Sequence, residues 1–127
     1  MYSLVEDVVA YPKFLPWCTN ATLHSRDKEV LEATLELQKG GIIKTFRTRN
    51  TLNPGVSMGI DLVGGPFRHL SGGWRFEQLG TDGSKVSMNM EFEFENRLTD
   101  AFFGRYFEDT CNSLIDSFIR RADDIYG

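Results

Sequence analysis

The strongest constraint on the fold is a strict alternation of apolar and polar residues in the second half of the chain. In KVSMNMEFEFE, from Lys85 to Glu95, every second residue is apolar and the residues between them are polar or charged. A period of two places the two sets of side chains on opposite faces of a β-strand. The segment therefore predicts a strand with one buried and one exposed face, which is typical of antiparallel sheets.

Four further segments show the same alternation. They are EVLEATLELQ (29–38), IKTFRTRNTL (43–52), the segment from Val56 to Leu62, and LSGGWRFEQL (70–79). Turn-forming residues separate the segments, at Gly40-Gly41, Asn53-Pro54-Gly55, Gly64-Gly65-Pro66 and Asp82-Gly83. This short and regular spacing predicts an antiparallel meander. The pair Gly72-Gly73 lies inside one pattern and predicts a bulge or a sharp bend.

Helical patterns occur at the two ends of the chain. In MYSLVEDVVAY, the residues Leu4, Val5, Val8 and Val9 share one side, which predicts a short helix beginning close to Met1. The stretch YPKFLPWC (11–18) should end it, because its two prolines are incompatible with a regular helix. A long helix is predicted from about Thr99, its N-cap, to Ile125. Its apolar stripe consists of Phe103, Phe107, Cys111, Leu114, Phe118, Ala122 and Ile125.

The fold class follows from these two apolar surfaces. A sheet with one apolar face and a helix with one apolar stripe must cover each other. The prediction is an α+β fold in which an antiparallel sheet wraps around the long C-terminal helix. A chain of 127 residues has the length of one domain, so residues 1–127 are predicted to form a single domain.

Composition and charge argue against several classes of protein. The net charge of −4 disfavours a dedicated nucleic-acid binder, which is usually basic. No apolar run approaches the ~20 residues that span a membrane, and the N-terminal residues do not form a signal peptide. We therefore expect a cytoplasmic protein. Cys18 and Cys111 are far apart in the sequence and are expected to be reduced structural thiols.

Several motifs together resemble a known family. They run from YPKFLPWC through KGGIIKTFRTRN and LVGGPFRHLSGGWRF to FEFENRLTDAFFGRYF. They are similar to the coenzyme-Q-binding START-like family of the polyketide cyclase/dehydrase superfamily, in particular its RatA branch of bacterial ribosome-association toxins. The resemblance covers essentially the whole chain. It implies a helix-grip (START/Bet v 1-like) fold with an apolar tunnel between sheet and helix.

The resemblance has one departure at the N-terminal end. Members of the family usually carry a strand before the first helix, and Met1 lies where an internal residue of that helix would be. We expect either a start placed too far downstream or a shortened variant that lacks this strand. In the fold it would pair with the last strand, so Lys85 to Glu95 should have an unpaired edge. Because an exposed apolar edge favours association, the chain is predicted either to be less stable than its relatives or to dimerise through this edge.

The first candidate site is the tunnel that the resemblance implies. It would hold ubiquinone or a related prenyl lipid, with ~0.8 kcal/mol gained for each buried CH₂ group. Its predicted lining is Phe14, Leu15, Trp17, Phe46, Phe67, Trp74, Met90, Phe103, Phe107 and Leu114. Trp17 would suit a membrane-facing lip of the tunnel mouth, and movement near Gly104 would admit the ligand. The alternative is that these residues are ordinary core and YPKFLPWC is a turn capping the sheet.

The second candidate site is basic. Arg47 and Arg49 share the polar face of one strand, with Lys39 and Lys44 nearby in the sequence. These residues would contact phosphates of the large ribosomal subunit. As the resemblance implies, such binding would block subunit association and translation initiation. The alternative is a solvated face on which the arginines pair with Glu91, with Glu93 or with no residue.

Patterns typical of enzymes are weak in this sequence. His24 and His69 are isolated, and the spacing shows neither a catalytic triad nor a metal-binding cluster. The chain is therefore predicted to be a non-enzymatic binding protein without a cofactor, and a cyclase-type enzyme is the third hypothesis, after lipid binding and ribosome binding. The resemblance implies ubiquinone as the bound ligand. In that role it would support respiratory electron transport, with peripheral contact to the inner membrane.

Overall fold

The computed structural model describes residues 2–80 and 83–126. Six strands form one antiparallel sheet in the order β1-β2-β3-β4-β5-β6, and a long helix packs against one face of it. The strands are β1 (Cys18–Arg26), β2 (Val30–Lys39), β3 (Ile42–Asn53), β4 (Ser57–Gly64), β5 (Phe67–Leu79) and β6 (Gly83–Phe94). The helices are α1 (Tyr2–Glu6), the 3₁₀ helix Val8–Lys13 and α2 (Arg97–Tyr126). The predicted α+β helix-grip fold is confirmed.

The strands predicted from alternation correspond to β2 through β6. On β2 the residues Leu31, Ala33, Leu35 and Leu37 are buried against the helix. The turns at Gly40, Gly41, Gly55 and Gly65 have positive φ, which glycine adopts without strain. Asp82, in the fourth predicted turn, lies outside the described residues.

The sequence analysis missed β1. Its sequence CTNATLHSR has few apolar residues, and Cys18 is its only fully buried residue. Two irregularities, between Cys18 and Ala21 and between Leu23 and Ser25, interrupt its pairing with β2. An exposed strand with irregular pairing leaves little alternation in the sequence, so periodicity gives a weak signal for it.

Helix α2 begins two residues before the predicted start. The Asn96 side chain accepts a hydrogen bond from the Thr99 backbone N–H at 2.8 Å, so Asn96 and not Thr99 caps the helix. The predicted stripe is buried at Phe103, Phe107, Cys111 and Phe118. Ile125 is 47% exposed, because the helix continues beyond the sheet that covers the stripe.

The N-terminal helical segment is divided in two. Helix α1 ends at Glu6 and a 3₁₀ helix follows from Val8 to Lys13, so the predicted continuous helix is wrong. The tighter 3₁₀ winding rotates the apolar face: Val5, Val8 and Tyr11 are buried, whereas Val9 is 53% exposed. The buried Tyr11 hydroxyl donates a hydrogen bond to the carbonyl of Val5, which ties the two segments together.

The pair Gly72-Gly73 does not form the predicted bulge. Pairing with β6 is continuous from Leu70 through Leu79, and the irregularity in this hairpin lies between Phe67 and His69. A Cβ atom on Gly72 would lie 2.2 Å from the carbonyl oxygen of Asn89 and 2.8 Å from the Cα of Met90. Close approach of two backbones therefore explains why glycine stands at this position.

Strand β6 forms one edge of the sheet in the described part of the chain. It pairs with β5, and no described strand lies on its other side. The predicted unpaired edge therefore corresponds to a real edge of this sheet, while dimerisation through it stays a prediction. Neither of the described α-helices combines the length and apolar character needed to cross a membrane.

Candidate functional site

A small cavity lies between the concave face of the sheet and helix α2. Its volume is about 60 Å³. Inward-facing residues of β2 to β6 form one wall, α2 forms the opposite wall, and the N-terminal segment closes one side. The lining consists of Val8, Tyr11, Trp17, Ala33, Leu35, Phe46, Thr48, Asn50, Met58, Ile60, Leu70, Trp74, Met90, Phe107, Thr110, Cys111, Leu114 and Phe118. The wall is therefore mainly apolar and has no carboxylate, lysine, arginine or histidine.

Six of the ten predicted ligand-binding residues line this cavity. They are Trp17, Phe46, Trp74, Met90, Phe107 and Leu114. Apart from Trp17, which comes from the irregular stretch YPKFLPWC, each lies on a strand or helix whose periodicity was used to choose it. Trp74 and Met90 follow the alternation of β5 and β6, and Phe107 and Leu114 follow the helical stripe of α2.

The other four predicted residues pack elsewhere in the core. Leu15 and Phe103 are both 1% exposed and lie outside the cavity. Phe67 stacks on Phe94, with ring centroids 4.5 Å apart. Phe14 lies against Phe118 at a centroid distance of 5.0 Å, with the Arg121 guanidinium 5.3 Å from its ring on the protein surface. For these four residues the alternative interpretation, ordinary core, describes their packing.

The stretch YPKFLPWC forms a turn before the sheet and also contributes one residue, Trp17, to the cavity wall. Backbone hydrogen bonds from Leu15 N–H to the Tyr11 carbonyl and from Cys18 N–H to the Leu15 carbonyl fold it into a compact turn before β1. Trp17 is only 8% exposed and points into the cavity. It is therefore not a membrane-facing residue, and that part of the prediction is wrong.

The sequence analysis missed the polar part of the lining. Thr48 and Asn50 lie two residues apart on the inward face of β3. Thr110 of α2 lines the same cavity. All three are buried, and Asn50 is 4% exposed. The alternation of IKTFRTRNTL contained the signal, since Thr48 and Asn50 have the same parity as Phe46 and Leu52. They were left out of the predicted lining because only apolar residues were chosen for it.

Two titratable groups line the cavity, and both are held in their neutral forms. Burial raises the pKa of the Cys111 thiol to about 12. Burial also raises the pKa of the Tyr11 phenol, and the nearby Cys18 adds to this effect. Cys18 itself has a pKa of about 11, again mainly because of burial. Both cysteines are free, as predicted, and neither is an activated nucleophile.

The predicted basic residues do not form one surface. Arg47 and Arg49 lie on the outer face of the sheet, whereas Lys44 has the parity of Phe46 and lies on the helix side. Lys39 donates a hydrogen bond of 2.7 Å to the Phe102 carbonyl at the start of α2. Lys39 and Lys44 are therefore separated from the two arginines by the sheet.

Arg47 and Arg49 share one acidic partner. Nε of Arg47 lies 3.7 Å, and Nη2 of Arg49 lies 3.5 Å, from the same carboxylate oxygen of Glu32. The expected pairing with Glu91 or Glu93 is wrong, because these residues project from β6, three strands away from β3. Glu93 lies beside Arg68 and His69 instead. The two arginines thus share one carboxylate, and Asp61 of β4 lies directly opposite Arg49 in the strand register.

Most of the chain also matches a family model. The model is described as "Polyketide cyclase / dehydrase and lipid transport" and matches residues 1–119. The chain belongs to this family.

Similar proteins fall into three groups. The ribosome association toxin RatA of Vibrio cholerae serotype O1 is 40% identical over 100% of this chain and 88% of its own length. The mitochondrial coenzyme Q-binding protein COQ10 of Dictyostelium discoideum is 27% identical over 100% of this chain and 64% of its own. The crystal structure of the Zhui aromatase/cyclase from Streptomyces sp. R1128 has a TM-score of 0.76. Its alignment covers 99% of this chain and 88% of that chain at 17% identity, which shows the fold alone.

Proposed function

We propose that this protein associates with the ribosome, in the manner that the name of its RatA relatives states. The 40% identity to RatA over the whole chain carries this proposal. The size of the cavity favours this function over the binding of a large ligand, because ligand pockets usually measure ~300–1,000 Å³ and this one measures about 60 Å³. The protein would act as one non-enzymatic domain in the cytoplasm. It would bind the large subunit and block subunit association and initiation of translation.

The outer face of the sheet around Arg47 and Arg49 is the proposed contact with ribosomal RNA. Both guanidinium groups are partly exposed, and their bonds to Glu32 are long, at 3.7 and 3.5 Å. Exposed ion pairs of this kind contribute ~0–1 kcal/mol, so a phosphate can replace the glutamate at little cost. Arginine also binds phosphate in a bidentate geometry that lysine cannot offer.

Cosedimentation with purified large ribosomal subunits tests this proposal. The double variant Arg47→Glu/Arg49→Glu should bind much more weakly, and the slope of its log K against log salt should be shallower by about 1.5, for two lost phosphate contacts. Arg105→Glu/Arg120→Glu changes the charge equally on the exposed side of α2 and should bind as the wild type does. Loss of binding only in this control would contradict the proposed face. A wild type that does not cosediment at any salt concentration would contradict ribosome association.

Glu32→Gln provides a test in the opposite direction. Removing the shared carboxylate leaves both arginines without that partner and makes the local charge more positive by one unit. Binding should therefore become tighter, by about threefold to tenfold at low salt. An unchanged or weaker affinity would indicate that these arginines do not contact the RNA.

The apolar cavity supports a second function, the binding of a lipid. The favouring observation is the lining, which is almost wholly apolar and enclosed between sheet and helix. The distant relation to a coenzyme Q-binding protein supports ubiquinone or another prenyl lipid as the ligand. A prenyl chain needs more than the present volume, so α2 would have to move away from the sheet, with Gly104 as the proposed hinge.

Native mass spectrometry of the protein purified from a quinone-producing host tests lipid binding. A stoichiometric adduct that solvent extraction identifies as a prenyl quinone would support it. Phe107→Asp, which places a carboxylate in the cavity wall, should abolish the adduct, while Glu108→Asp on the neighbouring exposed position should not. A folded wild type without any adduct would contradict lipid binding.

Dimerisation through β6 is tested separately by sedimentation velocity, where a monomer at all concentrations would refute dimerisation.

A further inference from the structure

The carboxamide of Asn50 is the most unusual polar group in the protein's interior. It is 4% exposed and lines the cavity. Its Nδ2 donates to the sulfur of Met58 at 3.8 Å, which is a weak interaction. Among the described residues no group donates to its Oδ1. A buried acceptor without a partner costs ~1–3 kcal/mol, so a binding role would explain its presence in an apolar wall.

The rest of the lining restricts the charge of any ligand. Thr48 and Thr110 are neutral, and the cavity wall contains no ionised side chain that could pair with a carboxylate, a phosphate or an ammonium group. Burial keeps Cys111 and Tyr11 protonated. Because an unpaired ion is very costly in such surroundings, the cavity selects uncharged molecules.

The orientation of the Asn50 amide restricts the ligand further. A hydroxyl group can donate to Oδ1 and also accept from the second N–H of Nδ2. A ketone can only accept, and it therefore leaves Oδ1 unpaired. Rotating the amide by 180° would exchange Nδ2 and Oδ1, so that Oδ1 would face the Met58 sulfur. Because that sulfur is itself a weak acceptor, Oδ1 would still lack a donor when a ketone is bound.

We propose that the cavity is a site for a neutral, mostly apolar molecule that carries a hydroxyl group, and that Asn50 is the residue that recognises this hydroxyl. This inference rests on the proposed lipid-binding function and narrows its ligand: a prenyl lipid that carries a hydroxyl, such as the reduced quinol, is preferred over the quinone, whose carbonyls only accept hydrogen bonds. The apolar part of the molecule packs against Trp74, Met90 and Phe107. The two methionine side chains of the wall, Met58 and Met90, are flexible and can adapt to its shape.

The test compares 2-hexanol with 2-hexanone, which have the same carbon skeleton. Binding is followed by NMR of protein labelled with ¹³C at the methionine methyl groups. Met58 and Met90 line the cavity and should shift, whereas Met88 does not line it and serves as the internal control. The wild type should bind the alcohol about fivefold to tenfold more tightly than the ketone, as expected for one additional hydrogen bond.

Substitution of Asn50 isolates its contribution. Asn50→Leu removes the amide at similar volume and should reduce the preference for the alcohol to less than about twofold. Asn53→Leu, at the exposed end of the same strand, should keep the full preference. If the leucine variant does not fold, Asn50→Ala removes the same acceptor with less bulk and allows the same comparison.

The outcomes separate this inference from the function on which it rests. Equal binding of both probes to the wild type, or a preference that persists in both Asn50 variants, would overturn the role of Asn50 and leave the ligand cavity standing. No shift of Met58 or Met90 with either probe would overturn the ligand cavity itself, and this inference with it. Ribosome binding is measured independently by cosedimentation.

Discussion

Replacing Gly72 by alanine should be among the most destabilising of small changes in this protein. The added Cβ would lie 2.2 Å from the Asn89 oxygen, 2.8 Å from the Met90 Cα and 3.0 Å from the Asn89 carbonyl carbon. All three atoms belong to the backbone of β6, so no side chain can rotate away. Strands β5 and β6 would have to separate locally by roughly 1 Å to restore ordinary contacts.

The cost can be estimated from this displacement. Overpacking of a well-packed site typically costs ~1–3 kcal/mol. A separation of this size would also weaken about two ladder hydrogen bonds, each contributing ~1 kcal/mol. The free energy of unfolding should therefore fall by roughly 3–5 kcal/mol, a large part of the ~6–19 kcal/mol expected for a chain of this length.

Gly59→Ala is a closely matched control. Gly59 lies in the neighbouring strand β4, and its added Cβ would meet only the Thr51 Cβ, at an ordinary distance of 3.7 Å. It should be neutral or stabilise by ~0.4–1 kcal/mol, because alanine reduces the entropy of the unfolded chain. Urea denaturation of both variants and the wild type measures the difference. If Gly72→Ala and Gly59→Ala differ by less than about 1 kcal/mol, the close approach of β5 and β6 is not as described.

Three further predictions concern stability. Burial raises the pKa of the Cys111 thiol to about 12, so the native state holds this proton more tightly than the unfolded state does. The free energy of unfolding should therefore fall as the pH rises above about 9. Cys111→Ala should lessen that fall in denaturant titrations at several pH values. Phe118→Ala should cost ~3–5 kcal/mol by thermal or urea unfolding, because this side chain is 1% exposed and packs on the rings of Tyr11 and Trp74. Two backbone N–H groups, of Glu29 and Val30, donate hydrogen bonds to the Asp27 carboxylate and lower its pKa. The stability that this carboxylate contributes should be present at neutral pH and lost in acid. Wild type and Asp27→Ala should therefore converge in their free energy of unfolding as the pH falls.

The fold could be predicted largely from local patterns. Alternation in β2 to β6 and the apolar stripe of α2 reflect which side of each element is buried, and that information is repeated along each segment. The pattern failed where burial was weak or the geometry changed. Strand β1 is mostly exposed, and the 3₁₀ helix rotates Val9 out of the interior.

The candidate site was predictable only in part, because periodicity identifies a face and not a neighbour. Leu15 and Phe103 have the same apolar character as Phe107, yet only Phe107 reaches the cavity. Arg47 and Arg49 were correctly placed on one exposed face, but their shared partner Glu32 comes from the adjacent strand. Strand register decides such pairs, and register depends on pairing between distant segments.

The sequence by itself determined the sheet, the long helix and the apolar surfaces that bring them together. Only the tertiary structure decided how closely these surfaces meet: it left about 60 Å³ between them, and it enclosed the amide of Asn50 there. The physical reason is the range of the interactions. Backbone geometry and side-chain burial repeat every two or 3.6 residues, whereas a cavity depends on packing among side chains from many elements at once.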